Sequence, residues 1–399
     1  MHDPQTLLTA RLKANAFTRK RGMSFPEAQS FMLDMRKTTL QTRLNIFPGF
    51  MNKKPISQQS FSELRMNFDH SPFETMVRGL VAKEYSGEYE LPLWNGLHLL
   101  AVDGSYLQLP RVDALRTEFG VAGSGACPCA GISVLYDLLH GWPLDPIITH
   151  YGMNERAECG KHLDFIDREL SHIKENSVLL LDRGYPSFDL IERMQTIGIK
   201  YVVRCYDNFL TEVNDAPMGS SVVLLKNKFS ARVFKFALPS GEIEILVTNL
   251  FDLPNCQLAE LYGMRWDIET AYFRLKRQLC VEKFSGKTPN SIRQDFWASM
   301  VLMIIVAVFQ AEADREVERR QFGKRIKHEN HARTSHIIIS LRDRFIFATL
   351  CGDNFISQRE LDDLIPILAR VTSPVRPGRS FDRKPKPYLV VNHNLKSHL

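Results

Sequence analysis

Two short apolar runs that each end in aspartate constrain this chain more than any other feature. The first is Leu97-His-Leu-Leu-Ala-Val-Asp103, followed by Gly104-Ser105. The second is Val178-Leu-Leu-Leu-Asp182, followed by Arg183-Gly184-Tyr185. Each reads as a buried β-strand that stops at an acid and turns. Residues 131–137 and 146–153 are also strand-like, with a Gly-Trp-Pro turn expected at 141–143. Helices are expected over 155–173 and 187–198, and a strand over 201–205. Strands first, then alternating α and β, predict an α/β fold: a mixed sheet flanked by helices. In open sheets of this kind, ligands and reactive groups collect at the carboxyl ends of strands.

The rest of the chain is laid out around that core. A length of 399 residues predicts two or three units. Residues 1–90 carry helical periodicity, with Pro26 opening one helix and Ser57 capping another. Arg19, Lys20, Arg21, Arg36, Lys37, Lys53, Lys54 and Arg65 punctuate this part, which suits either a DNA-reading helical domain or a helical cap with ordinary surface charge. Residues 91–206 would form the first part of the core. Residues 207–253 change to an all-β pattern, most simply an insertion, and 254–312 return to helix. The run Phe296 to Phe309 is apolar but shorter than the roughly 20 residues needed to span a bilayer, so it reads as a buried helix. Residues 313–399 form a basic helical stretch, with Arg315, Arg319, Arg320, Lys324, Arg325, Lys327 and Arg333. It runs into a Pro-, Arg- and Lys-rich tail over 373–387 that is expected to be extended and open to phosphate.

Bulk properties exclude several classes. The N-terminus has no apolar stretch of the kind a signal peptide needs. Seven cysteines at irregular spacing do not make a disulfide framework, which fits a soluble protein of a reducing cytosol. Cys127, Cys129, Cys159 and His162 lack the paired spacing of a structural zinc site. A net charge of +6 is mild, so where the basic residues fall matters more than their sum.

One helix carries an unusual stripe. In Leu261-Tyr-Gly-Met-Arg-Trp-Asp-Ile-Glu-Thr-Ala-Tyr-Phe-Arg-Leu-Lys276, a single α-helix would put Tyr262, Arg265, Glu269 and Lys276 on a strip about 60° wide and about 21 Å long. Such a strip can line an extended anionic strand. It also fits a solvated face in which Arg265 and Glu269 form an i,i+4 pair. Beside it, Trp266 suits the core better than stacking on a base. Arg183 could touch DNA or pair with a neighbouring acid.

Two strand-end aspartates and a helical glutamate supply hard oxygen ligands with no His or Cys, a set that prefers Mg²⁺ or Mn²⁺ over Zn²⁺. Either Asp alone could be a turn residue. Both of them upstream of the Tyr/Arg/Glu/Lys stripe point to two-metal phosphodiester chemistry.

The spacing Tyr262-x2-Arg265-x3-Glu269-x6-Lys276 resembles the signature of IS4-type bacterial transposases. Asp103-Gly104-Ser105 and Asp182-Arg183-Gly184-Tyr185 are similar to that family's other two acidic motifs. The likeness extends over roughly residues 15–310, and Cys127–Cys129 matches nothing in it. The resemblance implies an RNase H-like core with a β-rich insertion, and a DDE site in which Asp103, Asp182 and Glu269 bind two Mg²⁺, with Mn²⁺ able to substitute. It also implies DNA contacts from Tyr262, Arg265 and Lys276. The expected partners are double-stranded DNA, both transposon inverted repeats and target, and a second copy in a synaptic homodimer; no membrane is expected. The expected location is the bacterial cytoplasm, at the nucleoid. The expected activity is cut-and-paste transposition; the alternatives are an RNase H-like nuclease that does not transfer strands, and a DNA-binding protein that keeps the fold without chemistry.

Overall fold

A computed structural model of the chain describes residues 4–18, 22–34, 38–47, 49, 53–123, 127–325, 328–350 and 354–375. The chain divides into two compact units, one of residues 1–77, 108–128 and 274–399, the other of residues 78–107 and 129–273.

The second unit is built on a sheet. Its strands are β1 (His98–Gln108), β3 (Cys127–Asp137), β4 (Trp142–His150), β5 (Ser177–Leu181), β6 (Lys200–Cys205), β7 (Gly219–Leu225), β8 (Phe229–Ala237) and β9 (Ile243–Thr248); the two-residue β2 (Val121–Ala122) belongs to the first unit. The path runs β3-β1-β5-β6-β9-β8-β7, and β4 pairs with β3. β1, β5 and β6 are parallel, whereas β4 runs against β3 and β9 against β6. The β4-β3-β1-β5-β6 arrangement with flanking helices is RNase H-like, in line with the α/β mixed sheet expected from the sequence. β7, β8 and β9 continue the same hydrogen-bonded sheet beyond β6.

Local chemistry explains the elements. β3 is buried along its whole length and β5 likewise, as expected for apolar runs covered on both faces. Asn154 caps the helix Glu155–Glu169 by accepting from the backbone N–H groups of Arg156 and Ala157. Ser187 caps the helix Phe188–Ile197, which ends on left-handed Gly198 at φ 78°. The turn expected at 141–143 falls earlier, at residues 138–141, because Trp142 is already the buried first residue of β4.

Two sequence expectations fail here for physical reasons. Asp103 does not end its strand: β1 runs on to Gln108, although its pairing with β5 stops at Ala101. The Tyr/Arg/Glu/Lys stretch is not one helix. It comprises Asn255–Met264, a break, Asp267–Phe273 and a π-helical turn over Arg274–Gln278. At the break, Arg265, Trp266, Ile268 and Glu269 each donate their backbone N–H three residues back. Such bonds tighten the turn and rotate the side chains off a constant 100° step.

The first unit is largely helical. Its core is the helix Pro289–Gln321, started by a Thr288 capping box with Pro289 in the first turn. By length and composition this helix could cross a membrane, but 61% of its most apolar window is buried inside the protein. Rings of Phe17, Phe25 and Phe68 meet edge to face, as do those of Phe31, Phe47 and Phe61 around Phe31. Several basic residues of the N-terminal part serve this architecture. Arg65 is buried and bonded to Asp295, Gln294, Ser285 and the Ser291 carbonyl, and Lys53 pairs with Glu27. Arg315 pairs with Glu312, and Arg319 and Arg320 pair with Glu316. Arg19, Lys20, Arg21, Arg36, Lys37, Lys327 and the tail from residue 376 lie outside the described residues.

Candidate active site

Ala101 of β1 and Leu180 of β5 form the last pair of their ladder, and Asp103 and Asp182 each follow two residues on, near enough for the charge of one to act on the other. Each carboxylate accepts the backbone N–H of a following glycine, Asp103 Oδ1 from Gly104 at 2.9 Å and Asp182 Oδ1 from Gly184 at 2.8 Å. The second oxygen of each makes no hydrogen bond among the described residues.

Their electrostatics follow from this crowding. Burial, and then the charge of Asp182, push the Asp103 carboxyl up to about 7; Arg265 and the Gly104 N–H oppose the rise, and Glu155 adds to it. Burial disfavours the charged form of Arg265, yet Tyr262, Asp182 and Asp103 around it raise its pKa on balance. Its guanidinium, 8% exposed, stands 5.9 Å from the centre of the Tyr262 ring and 3.7 Å from Glu269 Oε1. Tyr262 is 7% exposed, and burial above all pushes its phenol up to about 12. Thus Tyr262 and Arg265 are buried beside the carboxylates and are not part of a solvated face.

The helix that carries Glu269 is fastened to the acid strand, since Tyr272 donates its hydroxyl to the Asp103 carbonyl at 2.6 Å. Glu269 itself is partly exposed and turned to Arg265. Among the described residues no three of His, Cys, Asp and Glu converge on one metal position. The donor set nonetheless suits a hard divalent cation: neighbouring carboxylates, an Asp103 raised by burial and by Asp182, and on each aspartate one oxygen without a hydrogen bond among the described residues. Convergence requires side-chain rotation.

Other residues singled out in the sequence stand apart. Arg183 is hydrogen-bonded to Glu242, and its guanidinium lies 5.5 Å from the Tyr206 ring centre. Trp266 is 50% exposed, not in the core, because the break before Asp267 turns it outward. Lys276 is half-buried in the π-helical turn of the other unit. Cys127, Cys129 and Cys159 are buried, while His162 is bonded to Ser133 and Asp145.

Sequence reasoning missed Glu155. A Cβ added to Gly104 would lie 2.9 Å from Glu155 Oε1, and one added to Gly184 would lie 2.8 Å from Glu155 Oε2 and 3.2 Å from Asp182 Oδ1. The glycines that follow the two aspartates therefore make room for its carboxylate. Burial and then Asp182 raise its pKa. The sequence signal for it was no more than an acid in the first turn of a capped helix after β4.

Residues 94–305 match the family model described as "Transposase DDE domain", more than half of the chain. The chain is 29% identical over 170 residues to a putative transposase for insertion sequence element IS4SA of Synechocystis sp. (strain ATCC 27184 / PCC 6803 / Kazusa), covering 40% of this chain and 47% of that protein. It is 22% identical over 242 residues to transposase InsG for insertion sequence element IS4 of Escherichia coli (strain K12), covering 54% of this chain and 52% of that one. The chain thus spans about half the length of the curated relatives that it matches. Among solved structures, a cryo-EM structure of a piggyBac transposase synaptic complex with hairpin DNA aligns with 96% of this chain and 83% of its own, at 12% identity and a TM-score of 0.45. Because that family model spans more than half of its length, the chain belongs to the transposase DDE domain family.

Proposed function

We propose that this protein is a DNA transposase that binds the inverted-repeat ends of an insertion sequence and moves it by cut-and-paste. The observation that carries this reading is the neighbouring pair Asp103 and Asp182, each two residues past the last β1–β5 pair and in no salt bridge among the described residues, with Arg265 near them. Asp103, Asp182 and Glu269 would hold two Mg²⁺, or Mn²⁺ in their place. When bound, such ions activate an attacking water or 3′-hydroxyl and stabilise the leaving oxygen of the phosphodiester.

The chain's own residues do the rest. Arg265 stands in for cationic charge next to the aspartates and holds Glu269 aside. When a DNA phosphate takes the guanidinium, Glu269 is released to turn toward the aspartates. Tyr272 keeps that helix at a fixed distance from β1 through its bond to the Asp103 carbonyl. Tyr262, Arg265, Lys276 and, once free of Glu242, Arg183 would contact phosphates of the transposon ends, and these contacts give binding its salt dependence. Hydrolysis at each end frees a 3′-hydroxyl, which then attacks target DNA in a synaptic homodimer. The site of action is the bacterial nucleoid.

The test is strand transfer. With Mg²⁺, a supercoiled target and a DNA that ends in the repeats flanking the gene, the protein should form strand-transfer product. Hydrolysis without transfer would make it a nuclease, and binding without either would make it a silent DNA-binding protein. Glu269→Gln should abolish cleavage and leave end binding in place, because binding rests on basic residues. Equal loss of both would remove Glu269 from the chemistry.

A further inference from the structure

We propose that Glu155 is a further carboxylate ligand of the metal centre, so that Asp103, Asp182 and Glu155 hold a divalent ion on the sheet side before Glu269 joins. The proposal rests on the reading of Asp103 and Asp182 as metal ligands.

Three observations carry it. The first is placement. Glu155 begins the helix that follows β4, and its two carboxylate oxygens approach the glycines of both acid motifs, 2.9 Å and 2.8 Å from where Cβ atoms of residues 104 and 184 would stand. The second is its lack of a partner. Among the described residues no Lys, Arg or His pairs with Glu155, although its helical neighbour Glu158 has Lys161 at 2.9 Å. An acid held against two other acids without a counter-charge gains most from a cation.

The third is independent of the acids. Tyr185, three residues after Asp182, is 1% exposed, and its hydroxyl has no hydrogen-bond partner among the described residues. The groups that act on it, after burial itself, are Asp103, Tyr272, Glu155 and Cys159, so it lies near the same acids. A buried donor left unbonded is destabilising unless a partner occupies the space beside it. A carboxylate turned in to hold an ion would accept from the hydroxyl, and a water on that ion would donate to it. By contrast, Glu269 is occupied by Arg265, which leaves Glu155 as the unpaired glutamate beside the aspartates.

The experiment is Mn²⁺ binding to the full chain without DNA, followed by calorimetry and by the paramagnetic resonance of free Mn²⁺. Glu155→Gln should weaken binding about tenfold or more, as should Asp103→Asn, while Glu269→Gln should change it less than about twofold. Metal-free melting of Glu155→Gln should stay level or rise, because a like charge has been removed. Gly104→Ala gives a second reading with every acid retained: its methyl would displace the Glu155 carboxylate and should also weaken Mn²⁺ binding. If Asp103→Asn weakens binding but Glu155→Gln and Gly104→Ala do not, Glu155 is no ligand and the proposed function stands. If Asp103→Asn changes nothing either, the metal-centre reading fails and this proposal falls with it.

Discussion

Two groups of acids occupy the sheet-bearing unit, and the chain treats them in opposite ways. Asp145 on β4 accepts from His162 Nδ1 at 2.7 Å and from Arg78 at 2.6 Å, and His162 Nε2 bonds to Ser133 Oγ at 2.9 Å. Burial pushes the Asp145 carboxyl up, but His162 and Arg78 outweigh it and leave it below its ordinary range. Asp103 has no such partners, and burial together with Asp182 pushes it up to about 7. Asp145 is a finished structural network. Asp103 is left incomplete, which is what a ligand-binding acid needs. The Ser133-His162-Asp145 chain even has the order of a hydrolase triad, yet Ser133 and His162 are fully buried, so no substrate reaches them.

This contrast can be broken by experiment. The largest effect should come from Asp182→Asn, which should lower cleavage by about 10²–10³-fold or more without lowering the melting temperature of the metal-free protein. A fall in both would make Asp182 structural, like Asp145. Next, Asp145→Ala should cost about 3 kcal/mol of stability by stranding buried His162, while cleavage per folded molecule is unchanged. Chemical denaturation read beside an activity assay separates the two.

The pH dependence should have opposite signs at the two places. For Asp103, whose folded pKa is raised, the metal-free protein should lose stability as pH rises from about 4 to about 7, and Asp103→Asn should abolish that loss. For Asp145, whose folded pKa is lowered, stability should be present above the ordinary carboxylate range and lost as pH falls through the folded value. Thermal melts of wild type, Asp103→Asn and Asp145→Asn across pH 3 to 8 read both signs. The smallest effects belong to the basic residues. Arg183→Ala should leave stability nearly unchanged in chemical denaturation, since its pair with Glu242 is open to solvent. Lys276→Ala should lower the salt slope of end binding by about one; an unchanged slope would take Lys276 off the phosphate.

How much of this was legible in the sequence depends on whether a feature is local. The strands over 178–182 and 201–205, the cap Ser57 and the helix starts expected at 155 and 187 obey rules that operate within a few residues, and the structure has strands or helix starts at or within a residue of those places. The neighbouring placement of Asp103 and Asp182 was readable because both follow apolar runs of one sheet. The break at Arg265–Trp266 was not, because a helical wheel assumes one step per residue and the three-residue bonds there violate it. Its consequences were the burial of Tyr262 and Arg265 and the exposure of Trp266. Glu155 was invisible for a different reason: only the packing of its helix against two distant turns brings it to the aspartates. The fate of Arg65, bonded to residues more than 200 positions away, is non-local in the same sense.

The far edge of the sheet offers a practical handle. Lys228 N–H closes onto the Leu225 carbonyl at 2.9 Å, with Lys226 and Asn227 both at positive φ, 44° and 56°, a tight reversal that joins β7 to β8. Four strand spacings, about 19 Å, separate β7 from β5. A fluorophore attached at Asn227 would therefore travel with the sheet yet stay clear of its acids, so energy transfer between labelled copies would test whether two copies pair DNA ends as the proposed function requires.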